Sequence, residues 1–278
     1  MQYVRKTSNT GNVHHLEHVN LNFQNRELAT KFYECIGLTL DPYQKGNTIW
    51  FNAGNQQMHV SVVEDTQTIS GEIGIVVPDV EKVLNSLHKH KEQFENTMFN
   101  YKVSENNTIE VTSPTNTLFR IIPYNVDSSD AKNGLGISYV LFKCPIGTSK
   151  GIARFYEKYF DTKVDVKDQE CLIAMGESQL LVFKEDEQYT FDGGYHFCFY
   201  VRDFDQTFER CRKDGLLYLE HRFQDKANTV QEARIYNQFR IINIADPKSL
   251  EKVIIKIEHE VRSFEHPSFN KTLVNKHF

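Results

Sequence analysis

The chain has 278 residues, 40% hydrophobic and 25% charged, with a formal net charge of −5. That composition suits a globular protein of one large or two ordinary domains, and the acidic balance without a basic cluster argues against a nucleic-acid partner. No apolar run approaches a membrane span, and Met1 to Asn12 lack the apolar centre of a signal peptide.

Residues 1–13 read as a loose tail. His18-Val19-Asn20-Leu21-Asn22-Phe23 alternates apolar and polar side chains and predicts a strand. Asn25 is placed to cap a helix carrying Leu28, Phe32 and Cys35 on one face, and Gly37 stops it. Strands are expected at Thr48 to Asn52 and Gln57 to Val63 around the turn Ala53-Gly54-Asn55. A second unit opens at Glu72 with Ile73, Ile75 and Val77 on one face. Asp79 caps its helix, and strands follow near Lys102 to Ser104, Thr108 to Thr112 and Leu118 to Pro123.

Polar residues 125–134 read as a linker. The third unit predicts a strand at Ile137 to Phe142, a helix capped by Ser149, and strands near Glu170 to Met175 and Gln179 to Phe183. The fourth opens at His196, continues into a helix begun by Asp203 or Asp205, and predicts strands near Tyr218 to Phe223, Glu232 to Ile235 and Phe239 to Ile244. Residues 247–278 read as a C-terminal extension with one strand-like run, Val253 to Ile257.

The order is therefore β-α-β-β-β, four times. Several short-turned strands follow each helix, which requires antiparallel pairing and opposes a doubly wound sheet. No GxGxxG or GxxxxGK[ST] follows any strand. The five cysteines, Cys35, Cys144, Cys171, Cys198 and Cys211, are odd in number and form no CxxC pair. They read as reduced packing thiols of an intracellular, cytoplasmic protein. His14, His15, His88 and His90 read as solvated, and Tyr43, Trp50 and Tyr200 as packing.

Four such units, opening on His18 to Phe23 with Phe32-Tyr33 and Gly37-Leu38, on Ile73 to Val80, on Gly151 to Tyr156 and on His196 to Phe204, resemble the vicinal oxygen chelate superfamily. That superfamily includes glyoxalase I, bleomycin resistance proteins and extradiol dioxygenases. The likeness covers roughly residues 14 to 246. It is nearest to a little-described branch, on Gly37 to Tyr43, Tyr189 to Gly193 and the tail's Glu258 to Ser263 with His266-Pro267.

The resemblance implies an α+β fold in which four βαβββ modules form two paired, cup-shaped mixed sheets with helices outside. The first domain would span 14–124 (modules 14–66 and 70–124) and the second 135–246 (modules 135–186 and 192–246). Metal ligands would come from the first and last strand of each paired module. Carried over, the first cup holds His18, His59, Glu72 and Arg120, and the second holds Ser138, Leu181, His196 and Arg240.

Two imidazoles and a carboxylate suit one divalent metal (iron(II), manganese or zinc) on His18, His59 and Glu72. Arg120 cannot ligate, so it either grips an anionic substrate oxygen or pairs with Glu72 in a metal-free cup. Glu72 and Arg120 are the catalytic candidates; Arg120, His196 and Arg240 are the substrate-binding ones. Arg120 and Arg240 recur in the same context, Phe-Arg-Ile-Ile, as either a duplicated buried ion pair or a duplicated anion-binding position would. The tail residues His259, Glu260, Arg262 and His266 are expected over a cup mouth or at a subunit contact. Three functions stay open: a metal-dependent glyoxalase- or dioxygenase-like enzyme acting on a small oxygenated metabolite, a metal-free binder of an anionic small molecule, and a structural role.

Overall fold

The structure, a computed structural model, describes residues 9–44, 46–124, 134–190 and 194–276. The expected linker falls almost wholly on 125–133, and part of the Tyr189 to Gly193 stretch on 191–193, outside those residues.

The elements run β1 (Val13–Phe23), α1 (Arg26–Cys35), β2 (Thr39–Leu40), β3 (Thr48–Ala53), β4 (Gln56–Val62), then β5 (Gly71–Val77), α2 (Val80–His90), β6 (Asn100–Val103), β7 (Ile109–Thr112) and β8 (Leu118–Pro123). They continue with β9 (Gly136–Cys144), α3 (Ser149–Phe160), β10 (Val164–Lys167), β11 (Glu170–Gly176) and β12 (Gln179–Glu185). The last group is β13 (His196–Val201), α4 (Phe204–Lys213), α5 (Val230–Tyr236), β14 (Gln238–Ala245) and β15 (Val253–Arg262). The strands fall into two mixed sheets. The chain divides into two compact units. The first holds His18–Phe142 and the residues from Thr272; the second holds Lys143–Lys271 and the described residues before His18.

In the first unit, β1, β4, β3 and β2 lie side by side in that order, and β9, β5, β8, β7 and β6 form a second row. In each module the opening strand pairs in parallel with the closing strand: β1 with β4, and β5 with β8. The alternation in the sequence supplies the apolar face, since Val19, Leu21, Phe23, Ile73, Ile75 and Val77 are all buried. Asn25 accepts the Leu28 N–H at 3.0 Å and Asp79 accepts that of Lys82 at 3.0 Å, so both helices start where their caps predict. Gly37, at φ +96°, takes the left-handed turn that ends α1.

In the second unit the rows are β10, β11, β12 and β13, β15, β14. Asp203 caps α4 by accepting the Gln206 N–H at 3.3 Å. Ser149 is not the cap of α3 but its first residue. Glu185 takes the cap's place, accepting the Ser149 N–H at 2.9 Å and its hydroxyl at 2.7 Å. Of the tail expected over 1–13, residues 1–8 lie outside the described ones; Asn12 is tied down, donating to Phe160 O at 3.2 Å and to Thr207 Oγ1 at 2.9 Å. His14 and His15, read as solvated, lie in β1 and are half-buried. His14 packs 4.9 Å from the Phe264 ring, and burial holds its pKa below the ordinary value.

The fourth module departs from expectation. Among the described residues there is no strand at Tyr218 to Phe223, and Glu232 to Ile235 belongs to helix α5. A capping box starts that helix: Thr229 accepts from the Glu232 N–H while the Glu232 carboxylate accepts from the Thr229 N–H. Phe239 to Ile244, read as the closing strand, is the penultimate one. The strand parallel to β13 is β15, from the stretch read as an extension, and β14 pairs with it antiparallel.

Candidate functional site

His18 and His59 come together as read. Register sets His18 against Gln57 and Asn20 against His59, so these side chains leave the same face of the sheet. The two rings stack 3.8 Å apart, tilted by 21°. Trp50, opposite His59 on β3, covers the other face of His59 at 4.9 Å, and Tyr43 lies 5.1 Å from Trp50. Trp50 and Tyr43 are thus a wall beside the histidines as well as packing. His18 is buried. Gln57 Oε1 lies 3.0 Å from His59 Nε2.

Glu72 and Arg120 sit elsewhere. They belong to the row β9-β5-β8-β7-β6, where the two edges of β5 are taken by β8 and β9. Glu72 is therefore not grouped with the two histidines. Arg120 holds it bidentately, Nε to Oε1 at 3.2 Å and Nη2 to Oε2 at 3.0 Å, and donates Nη1 to Glu110 Oε1 at 3.0 Å. The Tyr139 hydroxyl also donates to Glu72 Oε1. Burial, then the Glu72 charge, pushes the Tyr139 phenol well above its ordinary pKa, so it stays a donor. Ser138, the third module's first-strand residue, donates to Gly74 O at 3.2 Å, and Leu181 is buried.

Gly74 makes room for this arrangement. A Cβ there would lie 2.1 Å from the Tyr139 ring. Gly74→Ala is expected to cost about 1–3 kcal/mol, because the ring is fully buried and must shift off Glu72. Urea unfolding of the variant measures this; an unchanged midpoint would show that the ring moves at no cost.

In the second unit, His196 on β13 faces Glu258 on β15, and Cys198 faces Glu260. Glu260 thus stands to His196 as His59 stands to His18. Arg240 does not hold the closing-strand position; it lies on β14 opposite Glu260. Its guanidinium donates to Asp225 Oδ2 at 2.8 Å, to Glu260 Oε2 at 2.6 Å and to Glu258 Oε1. Arg262 donates to Glu17 Oε2 at 2.7 Å and pairs with Glu260 Oε1. Four carboxylates thus face two guanidiniums, an acidic excess inside a largely buried network. Burial pushes the Glu258 carboxyl above its ordinary pKa, against the pull of Arg240.

Glu258 was not singled out in the sequence and Glu260 only as part of a cover, although alternation marks both for this network. Ile255, Ile257, His259 and Val261 are buried on one face of β15, which leaves Glu258 and Glu260 on the other. His259 is a core residue and not a cover for a site. Its Nδ1 bonds Ile257 O and its Nε2 lies 2.7 Å from the Tyr156 hydroxyl, both at 2.7 Å, and burial pushes its pKa down to about 3.

No family model and no curated protein matches the sequence. Solved structures do. Glyoxalase I from Zea mays is similar at a TM-score of 0.59 and 13% identity, covering 90% of this chain and 92% of that one. The chain has the vicinal oxygen chelate fold. A putative dioxygenase from Bacillus subtilis (TM-score 0.54, 11% identity, 95% and 92% covered) and the cppA protein from Streptococcus pneumoniae (0.51, 14%, 92% and 100%) share it. The fourth module repeats the first two: β13 pairs in parallel with β15 as β1 does with β4 and β5 with β8, which makes β15, and not β14, its closing strand.

Proposed function

We propose that the chain is a metal-dependent enzyme of the glyoxalase or dioxygenase kind, acting on a small oxygenated metabolite. Its candidate ligands for a divalent ion (iron(II), manganese or zinc) are the first-strand and closing-strand pair His18 with His59 in the first unit; within the second unit His196 and Glu260 hold the corresponding positions. The observation that carries this reading is the stacked His18–His59 pair. Rings 3.8 Å apart bring both imidazoles to one place on the sheet face, and one ring would have to swing out of the stack for both nitrogens to face a shared ion at about 2.0–2.1 Å. The donor set, imidazole with carboxylate, suits these metals. The acidic excess around Arg240 and Arg262 favours a cation as well.

A divalent ion held there would polarise a substrate oxygen or acidify a bound water. The chain's own residues would do the rest. Trp50 and Tyr43 supply an apolar wall for a small substrate. Within the second unit, Glu258 is the candidate base beside His196, since its carboxyl is raised toward the range useful for taking a proton. Glu72 is set aside from that role because Arg120 and Tyr139 engage both its oxygens. Metal-free capture of an anionic ligand by Arg120 or Arg240 would require each guanidinium to leave its carboxylates.

Elemental analysis of the full-length chain after incubation with Fe2+, Mn2+ or Zn2+ tests the proposal. About one ion per chain is expected, with at least a tenfold loss of affinity in His18→Ala. Substoichiometric metal, unchanged in His18→Ala, would end the proposal.

A further inference from the structure

We propose that Tyr43 and Trp50 are a redox relay that carries a one-electron oxidation away from the stacked histidines to solvent, a role that stands apart from the metal reading. Four rings of the first unit lie in one unbroken series: His18 to His59 at 3.8 Å, His59 to Trp50 at 4.9 Å and Trp50 to Tyr43 at 5.1 Å. The series runs from a ring that is 1% exposed to one that is 56% exposed. Backbone and side chain fix its outer contact. The Asp41 N–H donates to Trp50 O at 2.9 Å, and the buried Asp41 carboxylate accepts the Tyr43 N–H at 2.8 Å. Trp50 is the chain's only tryptophan.

Indole and phenol give up an electron more readily than imidazole, so an oxidation that reaches this series moves outward. A phenol gives up its electron readily only where its proton can leave. Burial holds the phenols of Tyr33, Tyr139, Tyr156 and Tyr200 well above their ordinary pKa, so those protons stay. Tyr43 faces water, which takes its proton. A one-electron inorganic radical, such as carbonate radical, takes an electron from Trp50, and the indole N–H loses its proton. Tyr43 then passes one electron to Trp50 and its O–H proton to water, while water returns a proton to the indole nitrogen. A small thiol in solution restores the phenol by giving one hydrogen atom to the phenoxyl radical. The imidazoles of His18 and His59 are left intact.

Pulse radiolysis of the full-length chain with azide radicals, which oxidise indole selectively, reads both radicals by absorbance, and the single tryptophan fixes where the oxidation starts. Wild type is expected to turn the Trp50 indolyl radical into a tyrosyl radical in a first-order step independent of protein concentration. Tyr43→Phe, a change at an exposed ring, should lose that step and leave the indolyl radical to decay between molecules. Under continued radical exposure with a thiol present, the variant should accumulate oxidised His18 and His59, read by peptide mass spectrometry, where wild type does not. An equal first-order conversion in Tyr43→Phe, a wild-type decay that depends on protein concentration, or equal histidine oxidation in the two proteins overturns the proposal. None of these outcomes turns on whether a metal binds, so the metal reading stands or falls separately.

Discussion

Arg240→Leu is expected to destabilise the protein by at least about 3–5 kcal/mol at pH 7, enough to unfold many domains. Arg240 is 5% exposed and donates to Asp225, Glu258 and Glu260, with its guanidinium 4.2 Å from the Phe223 ring. Leucine would keep the packing and leave three carboxylates crowded together without their cation. The cost should depend on pH in a defined direction. Without Arg240 the folded-state carboxyl pKa values rise above their unfolded values, so the folded state binds more protons. The variant then regains stability as pH falls through those raised values. Urea unfolding at pH 7.5 and pH 5.5 checks this. A loss under about 1 kcal/mol, or a deficit that grows toward pH 5.5, would show that the network carries little of the second unit's stability.

The second large effect comes from His259. Its ring is wholly buried, and burial lowers its pKa from 6.5 to about 3. Between those values the unfolded chain holds a proton that the folded chain does not. Stability is therefore full above pH 6.5 and is lost as pH falls toward 3, by roughly 5 kcal/mol in all and about 2 kcal/mol by pH 5. Burial also lowers His14 and His221, which act in the same direction. The lowered carboxyls of Glu185, Asp214 and Asp246 matter only nearer pH 4 and below. The double variant Tyr156→Phe/His259→Phe removes the ring and its hydroxyl partner together, leaving no orphaned donor. Its unfolding free energy should fall about 2 kcal/mol less than that of wild type between pH 7 and pH 5. Equal slopes in the two proteins would mean that His259 does not carry the effect.

Local pattern sufficed wherever a single strand or helix decides the outcome. Alternation at His18 to Phe23 and at Gln57 to Val63 put His18 and His59 on one face, and Asn25, Asp79 and Asp203 marked their helices. Pattern could not say which strands become neighbours, because that is set by long-range packing. This is why Glu72 was expected beside the two histidines and lies instead with Arg120 and Tyr139. The repeated Phe-Arg-Ile-Ile misled for the same reason. Around Arg120 it forms a closing strand and around Arg240 a penultimate one, and both arginines are nevertheless held by carboxylates. Two misses were legible. Thr229 and Glu232 have capping-box spacing, which marks a helix where a strand was expected at Glu232 to Ile235. The alternation from Ile255 to Val261 marked a strand longer than the apolar run alone.

The place of β15 between β13 and β14 has a consequence for biosynthesis. The ribosome adds the central strand of that row last, 17 positions after Ala245 leaves the peptidyl-transferase centre if counted to Arg262. At about 5–20 residues per second that is roughly one to three seconds. Until β15 follows, β13 and β14 lack the strand that lies between them and Arg240 lacks Glu258 and Glu260, so this row cannot assemble before the chain through Arg262 has been made and has left the ribosome.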